Sequence, residues 1–134
     1  MEEIKVIYED KYIVLAEKPV GVLSEESGNR RSMPLLLKEY FGAKNERTDI
    51  FTLHRLDKNV GGLMLFARTP AADSILTQKI ASREFDKKYL AVIYGKPESE
   101  SGEMRDYLLH DSSKNKTYVV DRVRKGVREA LLRK

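Results

Sequence analysis

Between residues 51 and 62 the chain reads Phe-Thr-Leu-His-Arg-Leu-Asp-Lys-Asn-Val-Gly-Gly. An imidazole (His54), two cations (Arg55 and Lys58) and a carboxylate (Asp57) stand there between apolar neighbours. A carboxylate in such company can serve as a nucleophile or as a base. Gly61-Gly62 lets the backbone pass close to a neighbouring segment before the next apolar run begins. The same residues also suit an Arg55–Asp57 ion pair that only pins a loop to a sheet, and spacing alone does not choose between the two. Other chemistries fit poorly. With zero cysteines there is no disulfide framework and no thiolate nucleophile. No Gly-x-Gly-x-x-Gly occurs, and Gly95-Lys96 runs into Pro97 rather than into a phosphate-binding loop, so no nucleotide cofactor is expected. Neither Gly-x-Ser-x-Gly nor His-Glu-x-x-His is present. His54, Asp57 and His110 match no metal-ligand spacing, so no metal is expected either.

The elements that position these groups must come from a chain of 134 residues, 41% hydrophobic and 34% charged, the size and mixture of one soluble globular domain. Without repeats, low-complexity tracts or a dividing linker, residues 1–134 are expected to form that single domain. No apolar run reaches the roughly 18 residues that cross a bilayer, and the start Met-Glu-Glu-Ile-Lys is acidic, so a cytoplasmic protein without membrane contact is expected. The net charge of +4 is unevenly spread. Residues 1–26 carry three Lys/Arg against seven Asp/Glu, whereas 113–134 carry eight against two. That basic end could face a polyanion or be a solvated strand face.

Ile4–Tyr8 and Tyr12–Ala16 read as paired strands around a Glu9-Asp10 turn, ended by Pro19 and Gly21. Glu25–Arg31 reads as a loop, and Pro34–Phe41 as a short helix stopped by Gly42 that covers a sheet face. The nearly continuous apolar run Gly62–Arg68 predicts a strand buried on both faces. Pro70 opens a further helix, whose stretch Asp73–Arg83 turns Ile75, Leu76 and Ile80 toward the core. Tyr89–Tyr94 predicts a strong strand, followed by strands at Glu103–His110, Thr117–Arg122 and Val127–Leu132, the last at a sheet edge or left incomplete. The expected class is α/β (α+β), a mixed, largely antiparallel sheet flanked by short helices.

Taken together these segments resemble the RluA-type RNA pseudouridine synthases. His54-Arg55-Leu56-Asp57 followed by Gly-Leu-Met-Leu-Phe-Ala-Arg-Thr is similar to the family signature. Tyr8 to Gly21, with its Lys-Pro-Val-Gly turn, resembles the opening strand, Lys87 to Gly95 the tyrosine strand, and Lys125 to Leu132 a later strand. The resemblance implies isomerisation of uridine to pseudouridine in rRNA or tRNA, with no cofactor. It implies Asp57 as the catalytic carboxylate, acting at ribose C1′ or C2′. It implies Arg55, His54 and Tyr89 as substrate-binding residues, Tyr89 stacking on the detached uracil and Arg55 meeting RNA from which the target base is extruded.

Two departures accompany it. Where the family continues Asp-x-x-Thr-Ser-Gly, this chain has Asp57-Lys58-Asn59-Val60-Gly61-Gly62, without the two hydroxyls. The family's later arginine segment, expected to pair with the catalytic aspartate, has no counterpart within these 134 residues, and no S4-type module is expected before the opening strand. The expectation is therefore the N-terminal part of a pseudouridine synthase catalytic domain, weakly active by itself. The alternative is a shortened relative that binds RNA without catalysis.

Overall fold

A computed structural model describes residues 4–46 and 48–134. The chain divides into two compact units, residues 1–88 and 89–134.

In the first unit, strands β1 (Val6–Glu9), β2 (Ile13–Lys18), β3 (Phe51–Thr52) and β4 (Gly62–Ala67) form one antiparallel sheet in the order β1-β2-β4-β3. The β1–β2 turn is centred one step later than Glu9-Asp10. Glu9 still belongs to β1, and Asp10 makes the turn by accepting the amides of Tyr12 and Ile13 at 2.7 and 2.8 Å. Helix α1 (Met33–Ala43) has proline in its first turn, as expected, but runs through Gly42 and ends before Asn45, which takes the left-handed conformation at φ 59°.

The core lies between α1 and one face of this sheet. Val14 and Ala16 of β2, Met64 and Phe66 of β4, and Met33, Leu37 and Phe41 of α1 pack together fully buried, and each large apolar side chain so covered contributes roughly 1.5–3 kcal/mol. Arg68, at the end of β4, lays its guanidinium 3.9 Å from the centre of the Phe41 ring and pairs with Glu46 at 2.7 Å, tying the end of α1 to the sheet.

The second face of β4 differs from expectation. Leu63 is 55% exposed and Leu65 only half-buried, so β4 is buried on one face. Helix α2 (Pro70–Ala81) is begun by Thr69, whose hydroxyl accepts the Ala72 amide at 3.2 Å, and Arg83 follows its end at φ 60°. Its apolar stripe covers little: Ile75 is exposed, Leu76 and Ile80 are half-buried, and no residue of α2 is buried.

The second unit holds β5 (Glu103–Asp111), β6 (Lys116–Val120) and β7 (Val127–Arg133), an antiparallel sheet in the order β6-β5-β7 with β7 at an edge. None of its residues is buried. The strand expected at Tyr89–Tyr94 does not form. The segment carries no strand pairing, and Leu90, Val92 and Tyr94 are fully exposed. Alternating apolar residues prepare a chain for a ladder, but a strand exists only where a neighbour supplies the other half of its hydrogen bonds. The protein is thus α+β, with two antiparallel sheets and two helices. No helix among the described residues is long and apolar enough to cross a membrane.

Candidate active site

Asp57 lies in the loop that joins β3 to β4. The backbone on both sides of it is held by the segment that follows β2. On one side, the Ser24 hydroxyl donates to the Leu56 carbonyl at 2.6 Å and accepts the Leu56 amide at 2.9 Å. On the other, the Lys58 carbonyl accepts the Gly21 amide at 2.8 Å and the Lys18 ammonium at 3.3 Å. The Val60 amide donates to the Asp57 carbonyl at 3.0 Å and closes the turn. The backbone is fixed while the Asp57 side chain stays exposed.

Both glycines where β4 begins do what their position suggested. A Cβ on Gly61 would stand 3.3 Å from the Lys18 carbonyl, and Gly62 takes φ 145°, which a side chain rarely allows. Gly21, at φ 90°, makes the turn that aims its amide at Lys58.

A cleft of about 280 Å³ opens beside Asp57, between Arg55–Lys58 on one wall and Leu23–Ser27 with Arg30 on the other. Arg55 does not pair with Asp57. It reaches across to Glu25 at 3.5 Å, both side chains being more than half exposed, and such a pair is worth at most about 1 kcal/mol. The loop-pinning ion pair left open by the sequence is therefore replaced by the Ser24, Gly21 and Lys18 contacts. Arg30 is turned by Ser27, whose carbonyl and hydroxyl both accept from its guanidinium.

Of the residues singled out in the sequence, Asp57 and Arg55 share this cleft. His54 is engaged elsewhere. Its Nε2 accepts the Leu65 amide of β4 at 3.1 Å, which puts the proton of the neutral ring on Nδ1, and the ring lies 5.5 Å from that of Phe85. Burial, with Lys87 adding to it, holds the His54 pKa below its ordinary value. Tyr89 is 60% exposed at the start of the second unit. His110, on β5, contacts Thr117 at 3.2 Å. Among the described residues no three His, Asp or Glu side chains converge as a metal site would require.

Ser24 was not singled out in the sequence, and Lys18 entered only as part of the Lys-Pro-Val-Gly turn, with no role at the site. Lys18 could have been singled out, because Val14, Ala16 and Lys18 alternate onto the buried face of β2, and an ionisable residue on that face is unusual. Nothing local marks Ser24.

Comparison with known proteins fits this geometry. A family model described as RNA pseudouridylate synthase matches residues 12–133. The chain belongs to that family. Its relatives are of the RluA type. A dual-specificity RNA pseudouridine synthase RluA of Vibrio cholerae is 36% identical over 104 residues, 75% of this chain and 40% of that protein. Ribosomal large subunit pseudouridine synthase C of Rickettsia bellii is 33% identical over 100 residues, 74% of this chain and 32% of that protein. An uncharacterized RNA pseudouridine synthase of Bacillus subtilis, YhcT, is 25% identical over 113 residues, 83% and 37% of the two chains. The solved structure of human RNA pseudouridylate synthase domain containing 4 matches with a TM-score of 0.71 at 23% identity, over 95% of this chain and 51% of that one, a likeness of fold. The chain spans well under half the length of these curated relatives.

Proposed function

We propose that this polypeptide is an RNA pseudouridine synthase in which Asp57 is the catalytic carboxylate. The reading rests on one observation above the rest: the Asp57 carboxylate is exposed in a cleft of about 280 Å³ while the backbone on both sides of it is clamped. That volume is near the lower end for ligand sites, about right for one extruded nucleoside.

The reaction is an isomerisation and needs no second substrate. In one course Asp57 attacks C1′ and the C1′–N1 bond breaks with its electrons on the uracil. In the other Asp57 removes the C2′ proton and the same bond breaks by elimination. In both the uracil turns, C5 bonds to C1′, Asp57 regains its starting state, N1 takes a proton and C5 loses one. A fixed backbone with a free carboxylate serves either course, because a preset angle of approach removes much of the entropic cost of the encounter. Tyr89 is assigned the stacking surface for the turning base, and Arg55 a phosphate contact for which it gives up Glu25. The substrate is rRNA or tRNA in the cytoplasm.

Tritium release from RNA carrying 5-tritiated uridine tests this. The wild-type protein is expected to release tritium, and Asp57→Asn to abolish release while binding the same RNA. Equal release by both would reject Asp57 as the catalytic group. RNA binding that weakens steeply with salt, with no release by either, would instead identify a binding protein.

A further inference from the structure

The cleft beside Asp57 is lined by the carboxylates of Glu25, Glu26 and Asp57 and by the cations of Arg30, Arg55 and Lys58. Two of the carboxylates are already neutralised. Glu26 pairs with Lys38 of α1 at 2.5 Å, and Glu25 pairs across the cleft with Arg55 at 3.5 Å. Arg30 is placed differently. Among the described residues no carboxylate lies within ion-pair distance of it, although Glu25 and Glu26 belong to the same short loop. Its guanidinium is nevertheless held, because Nε donates to the Ser27 carbonyl at 3.4 Å and Nη2 donates to the Ser27 hydroxyl. Nη1 has no partner among the described residues.

The turn itself does not require that guanidinium. Its backbone closes through the Arg30 amide, which donates to the Ser27 carbonyl at 3.3 Å, and the side chain is exposed. What the Ser27 contacts do is orient it. A free surface arginine loses rotamer freedom when a ligand arrives, whereas one already fixed has lost it beforehand. The orientation matters because of what an extruded uridine carries. Its uracil and ribose are neutral, so its charge lies on the phosphates that flank the ribose. Asp57 repels those phosphates as the ribose is brought against it. Lys58 stands on the same wall as Asp57, and Arg55 is engaged with Glu25, so Arg30 is the guanidinium on the facing wall that can answer the repulsion without first breaking an ion pair.

We propose that Arg30 is a prebuilt phosphate contact for the target nucleotide: held by Ser27 on the wall facing Asp57, it binds a phosphate that flanks the extruded uridine. A guanidinium suits this task because its planar fork can span two phosphate oxygens. The proposal rests on the reading of the cleft as the seat of that uridine, but binding measures it without turnover.

Binding of labelled oligo(U) to the full chain, followed by fluorescence anisotropy over a range of salt, tests the proposal. Arg30→Gln is expected to raise Kd about tenfold at low salt, the loss of one charge-assisted contact. It should also lower the slope of log Kd against log salt by about 0.7, the share of one phosphate on a single strand. Lys11→Gln removes the same charge from the β1–β2 turn, at the opposite end of β2 from Lys18, and should do much less to both. Oligo(U) with neutral methylphosphonate linkages should bind the wild type and Arg30→Gln alike. Arg30→Gln should melt with the wild type, and Arg30→Lys should restore the salt slope. Absence of binding by the wild type, equal losses in Arg30→Gln and Lys11→Gln, or a loss that persists on the methylphosphonate strand would overturn the proposal. So would a lower melting temperature in Arg30→Gln with no restoration by Arg30→Lys, which would make the residue structural. The functional reading fails separately. A lowered slope with no tritium release by the wild type would uphold the phosphate contact and reject that reading. An unchanged slope, with release lost only in Asp57→Asn, would reject the contact and leave the reading intact.

Discussion

Replacing Ser24 by alanine removes one oxygen and breaks both contacts on the Leu56 side of the Asp57 loop. The Ser24 hydroxyl is the acceptor for the Leu56 amide at 2.9 Å and the donor to the Leu56 carbonyl at 2.6 Å, and the residue is only 6% exposed. Each such bond is worth about 1 kcal/mol net, and a backbone group left without a partner away from water costs more. The loss is therefore about 2 kcal/mol. With a urea dependence of about 1.5 kcal/mol per molar for a unit of this size, the unfolding midpoint is expected to fall by about 1 M. Urea unfolding of the full chain, followed by hydrogen exchange at amides of β2 and β4, reads the first unit by itself. Ser74→Ala, at an exposed position of α2, is the control and should change stability by less than about 0.5 kcal/mol. If Ser24→Ala moved the midpoint no more than Ser74→Ala, water in the cleft would be replacing the hydroxyl fully. The loop would not then be held from this side. A drop in stability with turnover unchanged would show that the clamp supports the fold without aligning Asp57.

Three further outcomes are expected. Stability should decline below neutrality because of His54: its folded pKa is below the unfolded value near 6.5, so its contribution is complete above that pH and is lost as pH falls through it toward the folded pKa. Urea midpoints between pH 7.5 and 5.5 should fall further for the wild type than for His54→Gln, and parallel declines would refute the assignment. Gly61→Ala brings a Cβ to 3.3 Å from the Lys18 carbonyl and 3.4 Å from Val20, and since the backbone cannot yield as the exposed Val20 can, a loss of about 1 kcal/mol is expected in thermal unfolding. Leu90→Ser with Val92→Ser changes fully exposed side chains and should leave the melting temperature of the isolated chain unaltered, while a clear drop would reveal packing along this segment.

How far the sequence reveals this molecule depends on how local each signal is. The start of α2 is legible because Thr69 and Pro70 are adjacent, and the hydroxyl of the one accepts an amide of the turn that the other begins. The candidate catalytic segment is legible for the same reason, since His54 to Gly62 are contiguous. Segments whose state depends on a partner are not legible. Gly62–Ala67 is apolar at nearly every position, yet Leu63 is 55% exposed, because composition reports what a strand can bury and not what covers it. Tyr89–Tyr94 has the pattern of a strand and remains unpaired. The restraint on Asp57 belongs to this second kind. Lys18 and Lys58 are 40 positions apart, and Ser24 and Leu56 are 32, so no spacing rule joins them before β2 and β4 have paired. What could be read beforehand is a parity: Lys18 occupies the next buried-face position after Val14 and Ala16. An ionisable residue on the apolar face of a strand is thus a signal that the end of that strand meets polar groups from elsewhere in the chain, here the Lys58 carbonyl of the β3–β4 loop. It is read from the alternation of two residues per pleat, without the motif itself.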